Sequence, residues 1–585
     1  MYIEKIYTPS DLKKLTIREC QELAKEIRKA LIVKASKKGG HLASNLGMVD
    51  ATIAIHYVFN SPTDKIIFDV SHQCYTHKIL TGRKDAFIDE ELYNTCNGYT
   101  NPVESEHDVF RVGHTATSIS LACGMAKARD LAGGKENIIA IIGDGSLSGG
   151  EALEGLNFGG SEIQGNLIII FNDNQMSIAE NHGGIYKNLQ QLRETYGKCE
   201  NNLFKAFGYD YLFVKDGHDI EELVKTLQSV KDIDHPIVVH ICTVKGKGYE
   251  HAQMNKESTH WVRPFDIESG KEKNPFNGAR YDYIIRDHLI EKMKKDERIV
   301  TMIAAVPGAL SFSEEYRKQI GRQFVDVGIA EEHAIAMAAG IAKHGGKPVF
   351  ATMSTFFQRT YDQISQELCI NKMPATMIVV NASVYSADDV THIGIFDIPM
   401  MSNIPNLVYL APTNRQEYIA MLDWSIDQTE YPVAIRAPRN GVFDAKGEVD
   451  VDYSELNKYK VVSEGKEIAI IALGDFFQLG EELSDKIKKI YSINSTLINP
   501  RYITGLDKTL LTDLIKNHKL IITLEDGVLD GGFGQKIASF YGPQDMKVLN
   551  YGLKKEFLDR YNISEVMEKN HLCADIIAED IKNYV

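Results

Sequence analysis

Two runs of residues, Ile138 to Ile142 and Leu167 to Phe171, are apolar from end to end and stop abruptly in small or amide side chains. The first is followed by Gly143-Asp144-Gly145-Ser146 and the second by Asn172-Asp173-Asn174-Gln175-Met176. Aliphatic runs without polar alternation read as adjacent strands of a parallel sheet covered on both faces. Their carboxyl ends then lie side by side, at the edge where open α/β sheets bind ligands. Asp144 and Asn174, thirty residues apart, offer a carboxylate and an amide oxygen to a hard cation, and the glycines let a bulky anion reach the backbone. Mg²⁺ suits such a set, because it takes few protein oxygens and fills its octahedron from phosphate and water. The implied ligand is a metal-bound diphosphate.

A chain of 585 residues is too long for one hydrophobic core, so several domains are expected. The net charge of −15 excludes a surface built for nucleic acid, which needs clustered Lys and Arg. The eight cysteines include no Cys-x-x-Cys pair, which points to a reducing compartment without structural zinc or a disulfide framework. Met1-Tyr2-Ile3-Glu4-Lys5 has neither a basic leader nor an apolar one, and no apolar stretch has the length of a membrane span. A soluble cytoplasmic protein without nucleic-acid or membrane partners is the expectation.

Strand-like and amphipathic helix-like segments alternate throughout, the α/β signature. Expected strands are 137–142, 167–171, 237–241, 348–350, 375–380, 407–411, 467–473 and 520–524. A polar stretch at 267–278 and a second break at 443–453 read as linkers. They divide the chain into three α/β domains, 1–270, 271–445 and 446–585.

Gly-Asp-Gly followed about thirty residues later by Asn-x-Asn resembles the thiamine diphosphate signature of the transketolase superfamily. Further ordered blocks are similar to the 1-deoxy-D-xylulose-5-phosphate synthases. They are Gly39 to Gly47 (GGHLASNLG), Asp69 to Lys78 (DVSHQCYTHK), Val112 to Ser118 (VGHTATS), Ile329 to Ala334 (IAEEHA), Ser354 to Arg359 (STFFQR), Ala387 to His392 (ADDVTH) and Ala437 to Gly441 (APRNG). The resemblance covers nearly the whole chain. It implies two doubly wound thiamine diphosphate-binding domains, a transketolase C-terminal-like domain, a homodimer and a role in isoprene biosynthesis. The implied reaction condenses a two-carbon unit from pyruvate with D-glyceraldehyde 3-phosphate, giving 1-deoxy-D-xylulose 5-phosphate and CO₂.

The same resemblance implies roles for residues. Asp144, Asn174 and the carbonyl of Met176 would hold Mg²⁺. His72, Gly113, His114, Gly143, Gly145, Ser146 and Phe356 would line the cofactor, Phe356 by stacking on its pyrimidine. Thiamine chemistry needs an acid against the pyrimidine N1′, and the family places Glu331 there. Groups titrating near neutrality must carry the protons of carbon–carbon bond formation; His41, His72, His260 and His392 lie in the matching blocks. Asp388 would serve as a hydrogen-bonded partner or contact a substrate hydroxyl, and Arg359 and Arg439 would contact the acceptor's phosphate, for which a guanidinium fork is suited. His56, His218 and His344 read as incidental.

Three positions depart from the family, and the region around Gln190 to Gly197 lacks a long family insertion that helps cover the site. Asn381-Ala382-Ser383-Val384 stands where an arginine-bearing Asp-Arg-Ala-Gly is usual, Met353 where a tyrosine precedes the Ser-Thr-Phe block, and Asn101-Pro102-Val103 where a second arginine is expected. The departures keep other readings open: ketol transfer of the transketolase kind or a related synthase using another donor and acceptor pair, and a non-catalytic paralogue acting as a partner. The intact Asp144, Asn174 and Glu331 argue against the latter.

Overall fold

The computed structural model, which describes residues 1–385 and 389–585, sorts the apolar runs into three sheets. The first contains β1 (Lys65–Phe68), β2 (Ile138–Gly143), β3 (Leu167–Asp173), β4 (Asp210–Val214) and β5 (Pro236–Cys242). Its order is β1-β2-β3-β5-β4, with every pair parallel. Strands β2 and β3 are nearly free of solvent along their length. Their side chains alternate between two cores: Ile139, Ile141, Ile168 and Ile170 enter one, and Ile138, Ala140, Ile142, Leu167, Ile169 and Phe171 the other. Both faces are therefore apolar, which is why the runs lack polar alternation.

Helices cover this sheet. Helix Ile17–Lys38 starts from a capping box in which the Thr16 hydroxyl accepts from the Glu19 amide, while the Glu19 carboxylate accepts from the Thr16 amide. It stops at Gly39, whose φ of 78° lies in the left-handed region. Helix Ala43–Val58 is buried on almost every side, as its mostly small and aliphatic sequence requires.

The second sheet contains β6 (Ile299–Ile303), β7 (Phe324–Asp326), β8 (Lys347–Met353), β9 (Thr376–Val380), β10 (Val408–Leu410) and β11 (Val433–Ala437). It is parallel in the order β10-β11-β9-β8-β6-β7. The third has β12 (Lys460–Ser463), β13 (Glu467–Ala472), β14 (Thr496–Asn499), β15 (His518–Val528) and β16 (Lys547–Leu553) in the order β12-β14-β13-β15-β16. Only β12, at one edge, is antiparallel to its neighbour.

The chain divides into two compact units, 1–277 with 328–330, and 278–327 with 331–585. The second and third sheets fall in one unit because they share a core: Phe350, Met377 and Val379 from one, and Ala469, Ile471 and Ile521 from the other, enter a single cluster. A buried ion group reinforces it. Arg436 of β11 binds Asp397 at 2.8 Å and also Asp526 of β15. The α/β class expected from the sequence is the class observed. Among the described residues no helix is long and apolar enough to cross a membrane.

Candidate active site

In the first unit the candidate residues lie at the strand ends. The Asp144 amide donates to the Asn172 carbonyl at 3.0 Å, extending the β2–β3 ladder one residue past the strand. The Asp144 side chain is buried. Its Oδ2 accepts from Asn181 at 2.7 Å, whereas its Oδ1 has no hydrogen-bond partner among the described residues. Burial first, and then the charge of Asp173, push this carboxyl up to about 7, against hydrogen bonds from the Asn174 amide and Asn181. Asp173 is also buried, but His240 and Arg193, the latter at 2.6 Å, outweigh burial and hold it below the ordinary carboxylate range. One acid of the pair is thus neutralised by the protein and the other is not. A buried, half-satisfied carboxylate of this kind calls for a cation.

The loop after β3 lies beside it. Asn174 Oδ1 accepts from the Met176 amide at 3.1 Å, closing a tight turn through Gln175, whose φ is 66°. A Cβ on Gly145 would meet the Ser177 Cα at 2.9 Å, so only glycine lets the two strand-end loops approach this closely. Gly143 ends β2, and Ser146 sits buried in the turn beyond it. Gly113 and His114 lie in the segment leading to helix Ser118–Ala132. Asp69, just past β1, fixes that segment by accepting from the amides of Ala116 and Ser118 at 2.9 and 3.0 Å. The donor set of one carboxylate, one amide and a strand-end backbone, with an orphaned buried oxygen and a glycine cradle, fits a magnesium-bound diphosphate.

Lys245, which the sequence reading passes over, belongs to this region. It is almost completely buried, and its ammonium donates to the carbonyls of Ser177 and Ile178 at 2.6 and 3.3 Å. Burial lowers it to about 8 while Asp144 pulls it upward. Its signal is position alone: like Asp69, Asp144 and Asn174, it follows the carboxyl end of a strand of this sheet.

Three of the four histidines expected to move protons converge here. The His41 and His72 rings are 5.0 Å apart, His72 and His260 are 5.0 Å apart, and Tyr99 stands 5.6 Å from His41. Asn45 ties the group together, donating to the carbonyls of His41 and His72 at 2.9 and 2.8 Å and accepting from the Tyr75 amide. Burial, and then the charges of Lys245, His72 and His41, hold His260 well below its ordinary value. It therefore stays neutral and takes up a proton reluctantly. His77, by contrast, lies in a separate buried network with His56, Asp108 and Arg83.

The second unit holds the remaining candidates. Glu331 opens helix Glu331–Lys343 and is 3% exposed. Among the described residues its Oε2 has no hydrogen-bond partner, and Arg359 forms an ion pair with it at 3.7 Å. Burial raises Glu331 to about 7, against the pull of Arg359. The ring of Phe356 meets that of His392 edge-on at 5.7 Å, and Thr355 donates to the Thr391 carbonyl at 2.9 Å, joining two of the sequence blocks. His392 Nδ1 lies 3.7 Å from Asp389. Asp388 falls outside the described residues, so the acid observed beside His392 is Asp389, its neighbour in the same block. Arg439 is exposed, two residues beyond β11. Of the departing positions, Ala382 is buried, Met353 ends β8 and Val103 is exposed.

Comparison with known proteins gives four family matches. Residues 3–198 match the 1-deoxy-D-xylulose-5-phosphate synthase family. Residues 114–304 match the transketolase thiamine diphosphate binding domain, 278–443 the transketolase pyrimidine binding domain and 457–571 the transketolase C-terminal domain. Among curated relatives, a protein of Caldanaerobacter subterraneus subsp. tengcongensis is 39% identical, over 99% of this chain and 98% of its own. One of Clostridium acetobutylicum is 38% identical over 96% and 95%, and one of Halothermothrix orenii 37% over 98% and 96%. All three are named 1-deoxy-D-xylulose-5-phosphate synthase.

Proposed function

Because the chain belongs to the 1-deoxy-D-xylulose-5-phosphate synthase family, we propose that it condenses pyruvate with D-glyceraldehyde 3-phosphate to 1-deoxy-D-xylulose 5-phosphate and CO₂, using thiamine diphosphate. The observation that supports this reading is a pair of buried carboxyl oxygens without hydrogen-bond partners, on Asp144 and Glu331. Those are the two residues from which the cofactor needs a metal ligand and a proton-holding acid. A protein with no such ligand gains nothing by burying two unsatisfied acids, each of which costs folding free energy.

Thiamine diphosphate, when bound, supplies a nucleophilic carbon that takes up the two-carbon fragment of the decarboxylated 2-oxo acid. Asp144, Asn174 and the Met176 carbonyl would hold Mg²⁺ on the diphosphate, and Glu331 would hold a proton at the pyrimidine N1′. An acid raised to about 7 is poised to share that proton near neutral pH. Phe356 would stack on the pyrimidine. His41, His72 and His260 would exchange protons and hydrogen bonds with substrate oxygens, His260 from a ring that is neutral at rest. Arg359 and Arg439 would take the acceptor's phosphate, and His392 and Asp388 its hydroxyls. We assign domains 1–270, 271–445 and 446–585, and a cytoplasmic homodimer, on the same basis.

The test is to supply the purified chain, Mg²⁺ and thiamine diphosphate with pyruvate and glyceraldehyde 3-phosphate. Release of CO₂ with formation of the five-carbon ketose phosphate is expected. No CO₂ release, with turnover of a ketose phosphate donor instead, would move the assignment to ketol transfer.

A further inference from the structure

His218 reads as incidental in the sequence, and no step of the chemistry above uses it. In the structure it joins a relay that leads from the Arg28–Asp50 ion pair to the strand-end loop bearing Asn174 and Met176. The turn that carries it packs directly onto the end of β5: the Gly217 amide donates to the Cys242 carbonyl at 2.7 Å, and a Cβ on Gly217 would meet that oxygen at 2.7 Å. The His218 side chain is only 7% exposed. Its Nδ1 lies 2.7 Å from Asp50 Oδ2, and its Nε2 lies 2.8 Å from the amide nitrogen of Val244. A backbone amide can only donate, so Nε2 is the bare nitrogen and Nδ1 carries the proton toward Asp50. Asp50 is fixed in turn by Arg28, whose Nη1 lies 3.2 Å from Oδ1 and whose Nη2 binds Oδ2. Arg28 and Asp50 stand on helices Ile17–Lys38 and Ala43–Val58, the second of which is buried on almost every side.

Val244 is the residue before Lys245, and Lys245 holds the Ser177 and Ile178 carbonyls that directly follow Asn174 and Met176. The path from Arg28 through Asp50, His218 and Val244 to Lys245 and the 174–178 loop is continuous. We infer that His218 is a positioning residue: by accepting the Val244 amide hydrogen it fixes the Val244–Lys245 turn, and so holds the loop bearing Asn174 and Met176 in the geometry that takes metal and diphosphate. The role rests on the cofactor reading proposed above. The imidazole suits the task because its two nitrogens, one donor and one acceptor, bridge a carboxylate and a backbone amide without adding a charge.

The test uses the full chain loaded with Mg²⁺ and titrated calorimetrically with thiamine diphosphate. His218→Met fills the volume but strands the Val244 amide, and weaker binding by about tenfold or more is expected. Hydrogen exchange at residues 174–178 should quicken in the same variant. His218→Gln keeps one donor and one acceptor on a planar group and should restore affinity to within about threefold of the wild type. A general loss of stability would not be rescued by that one conservative change. Binding by the Met variant within about twofold of the wild type, with exchange unaltered, overturns the inference. If the wild type itself binds no thiamine diphosphate, the cofactor reading fails, and the exchange rates of the Met variant alone decide whether His218 controls the loop.

Discussion

A carboxyl group taken out of water resists ionisation, and in Glu331 that resistance has two measurable consequences. Replacing it with glutamine keeps the shape but removes the titrating proton. Glu331→Gln is expected to lower kcat by a factor of about 10² to 10⁴, while thiamine diphosphate affinity changes by no more than about fivefold. Steady-state kinetics alongside calorimetry checks this, and an undiminished kcat would remove Glu331 from its role. The second consequence concerns stability. The group titrates from 4.5 when unperturbed and from about 7 in the folded chain. Between those values the native state keeps a proton that the unfolded chain has released, so stability falls as pH rises through that window. The slope is about 1.4 kcal/mol per pH unit for one such group. Urea melts of the cofactor-free protein at about pH 5 and about pH 7 should show a larger loss for the wild type than for Glu331→Gln. At this scale the sequence singles out Asp144, Asn174 and Glu331 because each sits in a motif with a chemical demand, and the structure buries Asp144 and Glu331. The sequence does not single out Lys245, Asn45 or His218, whose contacts are with residues distant along the chain.

Elements are legible in proportion to how completely they are buried. Strands β2, β3 and β5 are covered on both faces, and all three stand out as apolar runs. The sheet's edges, β1 and β4, escape notice, because β1 has four residues and β4 leaves alternate side chains in solvent. Strand β11 is central yet also hidden: Arg436 interrupts Val-Ala-Ile-Arg-Ala, and the Asp397 and Asp526 that neutralise it cannot be found by local pattern. The order β1-β2-β3-β5-β4 is likewise a property of packing rather than of any segment. Where two elements meet at van der Waals distance, glycine is the visible trace. Gly145→Ala would press a methyl group onto the Ser177 backbone, at 2.9 Å before any shift, and force the Asp144 and Asn174 loops apart. The expected result is a fold intact by circular dichroism with thiamine diphosphate affinity down by about tenfold or more. An alanine variant that binds normally would mean the two loops need not be this close.

The whole molecule sets a further condition on binding through its charge. With 80 acidic against 65 basic residues, the chain as a whole repels a diphosphate, and at the site itself Asp144 adds a carboxylate that no protein cation contacts directly. Thiamine diphosphate without metal would meet that carboxylate uncompensated. Mg²⁺ without diphosphate would find only the few oxygens of Asp144, Asn174 and the adjoining backbone, where it needs six. Each ligand therefore supplies what the other lacks, and the two should act together rather than additively. Both would bind the folded state alone, because residues thirty apart in the chain are brought side by side only by strand pairing. At about a hundredfold excess over the dissociation constant the pair should stabilise the protein by about 2.7 kcal/mol. Scanning calorimetry should then show a rise in Tm with both ligands that exceeds the sum of the rises with each alone, and EDTA should abolish it. Equal and independent shifts, or a thiamine diphosphate effect that survives EDTA, would show that the diphosphate reaches the protein without a metal bridge at Asp144.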